Sequence, residues 1–496
     1  MAVKNVISLK ALVDKGSNTI IFVESDNDFI DVLLSFLTIP MGTIVRRARK
    51  HSVPLEIGCM SNLYASVANI DVRHFQTEAC KEMLLCPHNG AESHCKNLKL
   101  KIDNDEPTRY FLCDSWQCTF ENKSISHYKG VLCQCGRCMN LKCSLSVSSS
   151  AEQCGGIFVK ESARFIITDD LHVMSPLSMA NNPVFTKLGA MNENSTTEQR
   201  NLNIGAPEVL NLLLRSLVSK KPLSETILKH NPVPNPYLSL LNMDQLILRR
   251  IESLLLGDTM NKEEEEENIV VKLTVSVSKN IVCYAEAGED FVNLLFSFLT
   301  VPLGFIVKHM RDASFKGCID QLHKSVKDLD EQHLKSNYHR EILLSPEIYP
   351  GFCYENRLLG IEDGPVASYY YAYWLDGGLH DILATDKTLI PSNAVTLPLK
   401  LKHDKSTQGY LKASTAFMVT DKLIIRPASP FFGFSIINEL KVPFTDIKEE
   451  TVEVGKKEAL RLLVATFLSN SALTDVFIRQ LNQEKSMKRA CSSIKR

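Results

Sequence analysis

Cysteine is the residue type in this chain whose spacing points to chemistry. Residues 113–154 carry Cys113, Cys118, Cys133, Cys135, Cys138, Cys143 and Cys154. Zinc takes four soft ligands in a tetrahedron, and two close pairs on separate turns supply them. Cys113-x4-Cys118 and Cys133-x-Cys135 are two such pairs. Gly136 follows the second pair and frees the backbone there to turn its N–H groups towards a thiolate. Cys113, Cys118, Cys133 and Cys135 are therefore the expected ligands of a structural zinc. Cys138 is the alternative to Cys135, since Cys135-x2-Cys138 is also a ligand spacing, and Cys143 and His127 stand outside the set. Two rival readings stay open: thiols without metal, and a redox pair, which here lacks the strand-to-helix setting of a thioredoxin-type motif.

Other chemistry leaves less trace. The sequence holds no GxxxxGK[ST] loop, GxGxxG turn, HExxH helix or GxSxG elbow. Asp169-Asp170 beside His172 is the most interesting polar group, but a turn carboxylate that accepts backbone N–H bonds accounts for Asp169 without a reaction. Asp28 reads as a first-turn helix aspartate. Arg46, Arg47, Arg49 and Lys50 form a small basic patch, read as a solvated helix face. No catalytic and no cofactor-binding residue is expected.

The elements that must position the cysteines come in a unit that occurs twice. Asp28–Gly42 (DFIDVLLSFLTIPMG) returns as Asp290–Gly304 (DFVNLLFSFLTVPLG). In the same order Gly58-Cys59 returns as Gly317-Cys318, Leu84–Pro87 as Leu343–Pro346, and Phe165–Asp169 as Phe417–Asp421. Gly205, Glu208, Leu210, Leu213, Ser219 and Leu223 return as Gly455, Glu458, Leu460, Leu463, Ser469 and Leu473. Five blocks in one order at nearly constant offset predict two copies of a whole domain. The expected boundaries are a first repeat over 5–230, a linker over 231–267, a second repeat over 268–480 and a basic tail over 481–496. The linker holds a proline-rich stretch, an amphipathic helix over Met243–Leu255 and the acidic run Glu263–Glu267. The second copy carries Tyr369–Gly378 where the first carries its cysteines, so the zinc would be a local staple and not the heart of the domain.

Within each copy the periodicity predicts hairpins and helices without regular alternation. Leu9–Val13 and Thr19–Val23 flank a turn cluster and read as a hairpin. Phe29, Leu33, Phe36 and Leu37 have helical spacing, Ser25 or Asp26 can cap that helix, and Pro40 stops it. Further helices are expected around Leu63–Val67, Phe75–Leu85 and Glu208–Val218, and a second hairpin from Gly156–Lys160 and Arg164–Thr168. The expected fold class is α+β: two tandem copies of one domain built from β-hairpins and helices, the first with a cysteine-rich, zinc-ribbon-like insertion.

Composition bounds the function. The 496 residues carry 56 Lys plus Arg against 57 Asp plus Glu, a formal charge of −1. That balance argues against a polyanion as the main partner, so nucleic-acid binding is not expected. With 23% charged and 44% hydrophobic residues the chain has material for real cores. No signal peptide or membrane span is expected. The 15 cysteines are odd in number and uneven in distribution, which fits a reducing cytoplasm or nucleus.

The strings DFIDVLLSFLTIPMGTIVRR, CMSNLYASV, FQTEACKEMLL, GIFVKESARFIITDDLHV and PEVLNLLLRSLVSKKPLSETIL, with the C-x-C-G element, resemble the plant family catalogued as domain of unknown function 674. The resemblance covers both copies. It implies an intracellular plant protein, often with the domain in tandem, and no established activity or catalytic residue. The resulting expectation is a non-enzymatic interaction or scaffold protein with unknown protein partners. An enzyme, hydrolase or transferase, with a site between the repeats is one alternative, and a weak nucleic-acid binder is another.

Overall fold

The computed structural model describes residues 5–51, 57–102, 109–145, 156–161, 164–175, 197–228, 268–310, 317–350, 358–364, 368–373, 382–402, 409–413 and 415–479. The linker over 231–267, with its expected helix and acidic run, the basic tail over 481–496, and Cys154 lie outside the described residues. The fold is α+β.

Ile7–Asp14 and Thr19–Ser25 alternate buried with less buried side chains and pair antiparallel, as expected of a hairpin half-packed on a core. Asp14 shapes the turn by accepting the Gly16 and Ser17 N–H groups at 3.0 and 3.2 Å. Among the described residues this hairpin is the centre of a five-stranded sheet. Its order is Val173–Met174, Phe165–Thr168, Thr19–Ser25, Ile7–Asp14, Thr197–Ile204. A second five-stranded sheet has the order Ile425–Pro427, Phe417–Thr420, Ile281–Ala287, Ile269–Ser276, Ile447–Val454. Its strands sit in the same relation to one another. Even the register slip in the central hairpin recurs, between Leu12 and Val13 in one sheet and Thr274 and Val275 in the other.

The helices Asn27–Ser35 and Glu289–Ser297 are buried over most of their surface, and one hydrophobic cluster runs through both halves of the chain. Asp26 takes the cap position of the first helix without a side-chain capping bond. Pro40 ends that helical run as expected and starts the next helix, Met41–Lys50. There the halves meet backbone to backbone. Pro40 bridges Pro302, Met41 N–H donates to Val301 O at 3.0 Å, and Leu303 N–H donates to Ile39 O at 3.0 Å. A Cβ on Gly42 would lie 3.0 Å from Leu84 O and 3.1 Å from Leu299 O; one on Gly304 would lie 2.8 Å from Leu37 O. The approach requires glycine at both positions.

Each half then lends its helix to the other half's sheet. Ser66 Oγ, on the helix Met60–Asn69, accepts the Ile425 N–H at 2.9 Å. Ser325 Oγ, on the helix Ile319–Asp328, accepts the Val173 N–H at 2.8 Å. Cys59 N–H donates to Thr466 O and Cys318 N–H to Ser216 O. Phe75 bridges Leu411, and Val159 bridges Leu334.

That exchange corrects one expectation. Gly156–Lys160 does not form a hairpin with Arg164–Thr168. The buried Asp31 carboxylate takes the Ile157, Phe158 and Val159 N–H groups at 2.6, 2.8 and 3.1 Å, so the segment is turned towards the other half, and Phe165–Thr168 pairs instead with Val173–Met174. Asn293 is the counterpart, its Oδ1 accepting the Tyr410 and Leu411 N–H groups at 3.1 Å each.

The backbone contact predicts that Gly42→Ala and Gly304→Ala each lower the unfolding free energy by about 1–3 kcal/mol in denaturant titrations. A neutral result at both positions contradicts the close approach. Asp31 gives a pH test. Burial, stronger than its three N–H donors, raises its carboxyl from 3.8 to about 6. Its contribution to stability is present in full below pH 4 and is lost as pH rises through 6. Asp31→Asn, the residue of the second half, should therefore lose less stability relative to wild type at pH 7 than at pH 4, by about 2 kcal/mol. A difference that is flat with pH is the contrary outcome.

Candidate metal centre

Three antiparallel strands, Tyr110–Cys113, Cys138–Cys143 and Val131–Leu132, carry the cysteine-rich element. Cys113 closes the first strand, beside a register slip between Leu112 and Cys113. Ser115 caps the helix Trp116–Asn122 through the Cys118 N–H, which sets Cys118 in the first turn. Cys133 and Cys135 lie in the turn between Val131–Leu132 and Cys138–Cys143. That turn is closed by Cys133 N–H to Arg137 O at 2.8 Å and Gly136 N–H to Cys133 O at 2.9 Å, with Gly136 at φ +79. The positive φ there is why glycine stands after the second cysteine.

This brings the four expected thiols together. The Sγ atoms of Cys113, Cys118, Cys133 and Cys135 all lie within 4.8 Å of one another, with Cys113–Cys135 at 3.5 Å and Cys118–Cys133 at 3.2 Å. Zn–S bonds of about 2.3 Å in a tetrahedron put sulfurs about 3.8 Å apart, so the donor set fits zinc. Cys138 is outside the cluster; it opens the strand Cys138–Cys143, opposite Leu132. Cys143 pairs with Tyr110 and packs in a separate cluster, and His127 Nε2 is 3.0 Å from the Tyr369 hydroxyl.

Cys113, Cys118 and Cys133 are buried, and Cys135 is exposed. Burial pushes the Cys113 thiol up and the Cys118 thiol up to about 12. The Arg137 backbone N–H, which donates to Cys135, holds that thiol down at about 7. A cation among the four would favour the thiolate at each. Asn122 is the supporting residue that spacing alone did not single out. Its amide donates to Cys118 Sγ at 2.8 Å, and its position four residues after Cys118 on one helix is the signal that could have found it.

The remaining polar candidates hold the fold. Asp169 accepts the Ser224 N–H and hydroxyl at 2.8 and 2.6 Å, and Asp421 does the same for Thr474 at 2.8 and 2.7 Å. His172 Nδ1 is 3.5 Å from Ser325 Oγ. Asp28 pairs with Lys99 at 2.7 Å. The basic patch is not a simple solvated face: Arg47 is 2% exposed, and Arg49 lies over the Tyr64 ring while donating to Ser61 O.

Among the described residues no helix is long and apolar enough to cross a membrane. No curated protein and no solved structure matches the chain. The model of one family, described as protein of unknown function (DUF674), matches residues 3–457 and again residues 444–496. The matches run through both sheets and the cysteine element, and the chain belongs to that family.

Proposed function

We propose that this is a non-enzymatic interaction protein, two copies of one duplicated unit, whose first copy is stapled by a structural zinc. The carrying observation is the thiol cluster: four cysteines from a strand end, a helix and a turn, with every pair of sulfurs inside 4.8 Å. Cys113, Cys118, Cys133 and Cys135 are the ligands. The Cys133–Cys135 turn between two strands supports the zinc-ribbon-like reading of the insertion. Four protein ligands close the coordination sphere, so the ion holds the element together and offers no open position to a substrate.

Duplication is supported by the matching strand orders and by the reciprocal Ser66 and Ser325 bonds. The domains over 5–230 and 268–480 are then two copies that share one core and do not fold apart. A reducing compartment of a plant cell, cytoplasm or nucleus, suits free thiols held for metal. Partner binding is supported by a patch of exposed aromatic side chains. Phe431, on the helix Pro430–Glu439, is 88% exposed, and Phe434 stacks on Phe444 at 5.9 Å in the open.

Two measurements test the reading. Elemental analysis of the purified full chain should give one zinc per chain, and a chelator should release it and free four thiols to react. Cys118→Ser with Cys133→Ser should lose the metal and raise hydrogen exchange over 109–145, while 27–50 and 289–310 stay protected. Substoichiometric metal in a folded chain defeats the zinc part. For the interaction part, a protein crosslinked to the wild-type chain in cells should be lost with Phe431→Asp plus Phe434→Asp. A crosslink that survives both substitutions removes the patch from the argument.

A further inference from the structure

A cavity of about 560 Å³ lies beside the cysteine element, among the helices Met41–Lys50 and Glu78–Leu85 and residues 86–102. That volume is in the range of sites for small organic ligands. One side is ringed: Phe111, Tyr128, His88 and His127 line it, with the His88 ring centroid 5.1 Å from Tyr128 and 5.0 Å from His127. Ile39, Leu98 and Ile102 add aliphatic surface. Burial holds the His127 imidazole down at about 3, so it stands neutral in the wall.

Charge converges on this space from separate segments. Arg46, Lys96, Lys101, Arg109 and Lys129 all line it. Arg46 and Lys101 are half-buried, whereas the other three are exposed. The carboxylates are fewer, and Glu92 is engaged 3.5 Å from His88 Nδ1. Glu78 and Glu82 are exposed on their helix. Burial lowers the Lys101 ammonium below its ordinary value, and a neighbouring anion would reverse that. The half-buried Lys101 and the exposed Arg109, beside a wall of rings and aliphatic side chains, match a ligand with a flat apolar body and one anionic group.

We propose that this cavity is a binding site for a small organic anion, an apolar, ring-sized body bearing a carboxylate or a phosphate monoester, with Lys101 and Arg109 holding the anionic group. It needs neither the zinc nor a protein partner, so it stands or falls separately from the reading above.

Calorimetric titration of the full chain with three probes of similar shape tests it: 2-naphthoate, 1-naphthyl phosphate and the neutral 2-naphthamide. At least one anion should bind with a Kd below about 1 mM and about tenfold or more tighter than the amide. The better anion tells carboxylate from phosphate recognition. Lys101→Gln with Arg109→Gln should weaken that anion about tenfold and leave the amide unchanged. Should the double variant melt early, Arg109→Gln alone, at an exposed position, serves, because the comparison of anion with amide rests on the wild type. The proposal is overturned if neither anion saturates near 1 mM, if the amide binds as tightly, or if the variants leave the anion's affinity where it was.

Discussion

The structure depends on one close approach, where Ile39-Pro40-Met41-Gly42 and Val301-Pro302-Leu303-Gly304 run against each other with only backbone between them. A proline cannot donate a ladder bond, so each segment presents its one available pattern: an N–H after the proline and a carbonyl before it. Two such segments laid antiparallel satisfy each other, Met41 to Val301 and Leu303 to Ile39. The helices that lead in, Asn27–Ser35 and Glu289–Ser297, lie in the interior, buried over most of their length. The exchanged serine bonds, from Ser66 to Ile425 and from Ser325 to Val173, are consequences of that geometry. Hydrogen bonds between buried backbone and side-chain groups are costly to leave unmade, so separating the halves would forfeit these bonds together with the apolar burial of the shared cluster.

The two halves differ where they leave this shared frame. The second half has Ser368–Tyr373, Ile382–Ala384 and Val395–Leu401 as a small sheet whose interior is packed by Tyr369, Tyr371, Leu383 and Leu399. That sheet is completed by Ser124–Ile125 of the first half, paired parallel to Val395–Leu401. The cysteine element of the first half has the strands Tyr110–Cys113, Val131–Leu132 and Cys138–Cys143, with the thiol cluster at a strand end, a helix and a turn. A small three-stranded element has little apolar surface to bury and needs either a staple or a neighbour. The first half has the cysteines for the one and the tyrosine-rich sheet for the other.

Much of this was legible in the chain. Helical spacing and Pro40 placed the buried helix and its end, alternation placed the central hairpin, and ligand spacing picked Cys113, Cys118, Cys133 and Cys135 from seven cysteines. What was not legible is anything that depends on which surface meets which. Periodicity says that one face of Met60–Asn69 is buried; it does not say that the sheet receiving it belongs to the other half. Gly156–Lys160 reads as a strand next to Phe165–Thr168 because the two are adjacent in sequence, and the buried Asp31 that takes its N–H groups is 126 residues away from Ile157. Cys135 and Cys138 both have acceptable spacing, and only the three-dimensional course of the turn, which brings the Cys135 sulfur to the other three, separates them. The patch Arg46, Arg47, Arg49 and Lys50 reads as solvated because a run of charge on a helix usually is, and nothing in the spacing marks Arg47 as the buried member.

The cavity ties these strands together. Its ringed wall, with Phe111, His127 and Tyr128, belongs to the cysteine element, and Lys129 and Gly130 lead directly into the Val131–Leu132 strand that ends at Cys133. The same wall is tethered at its far side by the second half, where the Tyr369 hydroxyl meets His127 Nε2 and the Tyr349 ring packs 5.4 Å from the His127 ring. A side chain that is held at both ends keeps its rotamer, and a cavity lined by such side chains keeps its shape when empty, which lowers the cost of filling it. The strand Tyr110–Cys113, which carries Phe111, and the tyrosine-rich sheet, which meets His127, are then two supports of one wall.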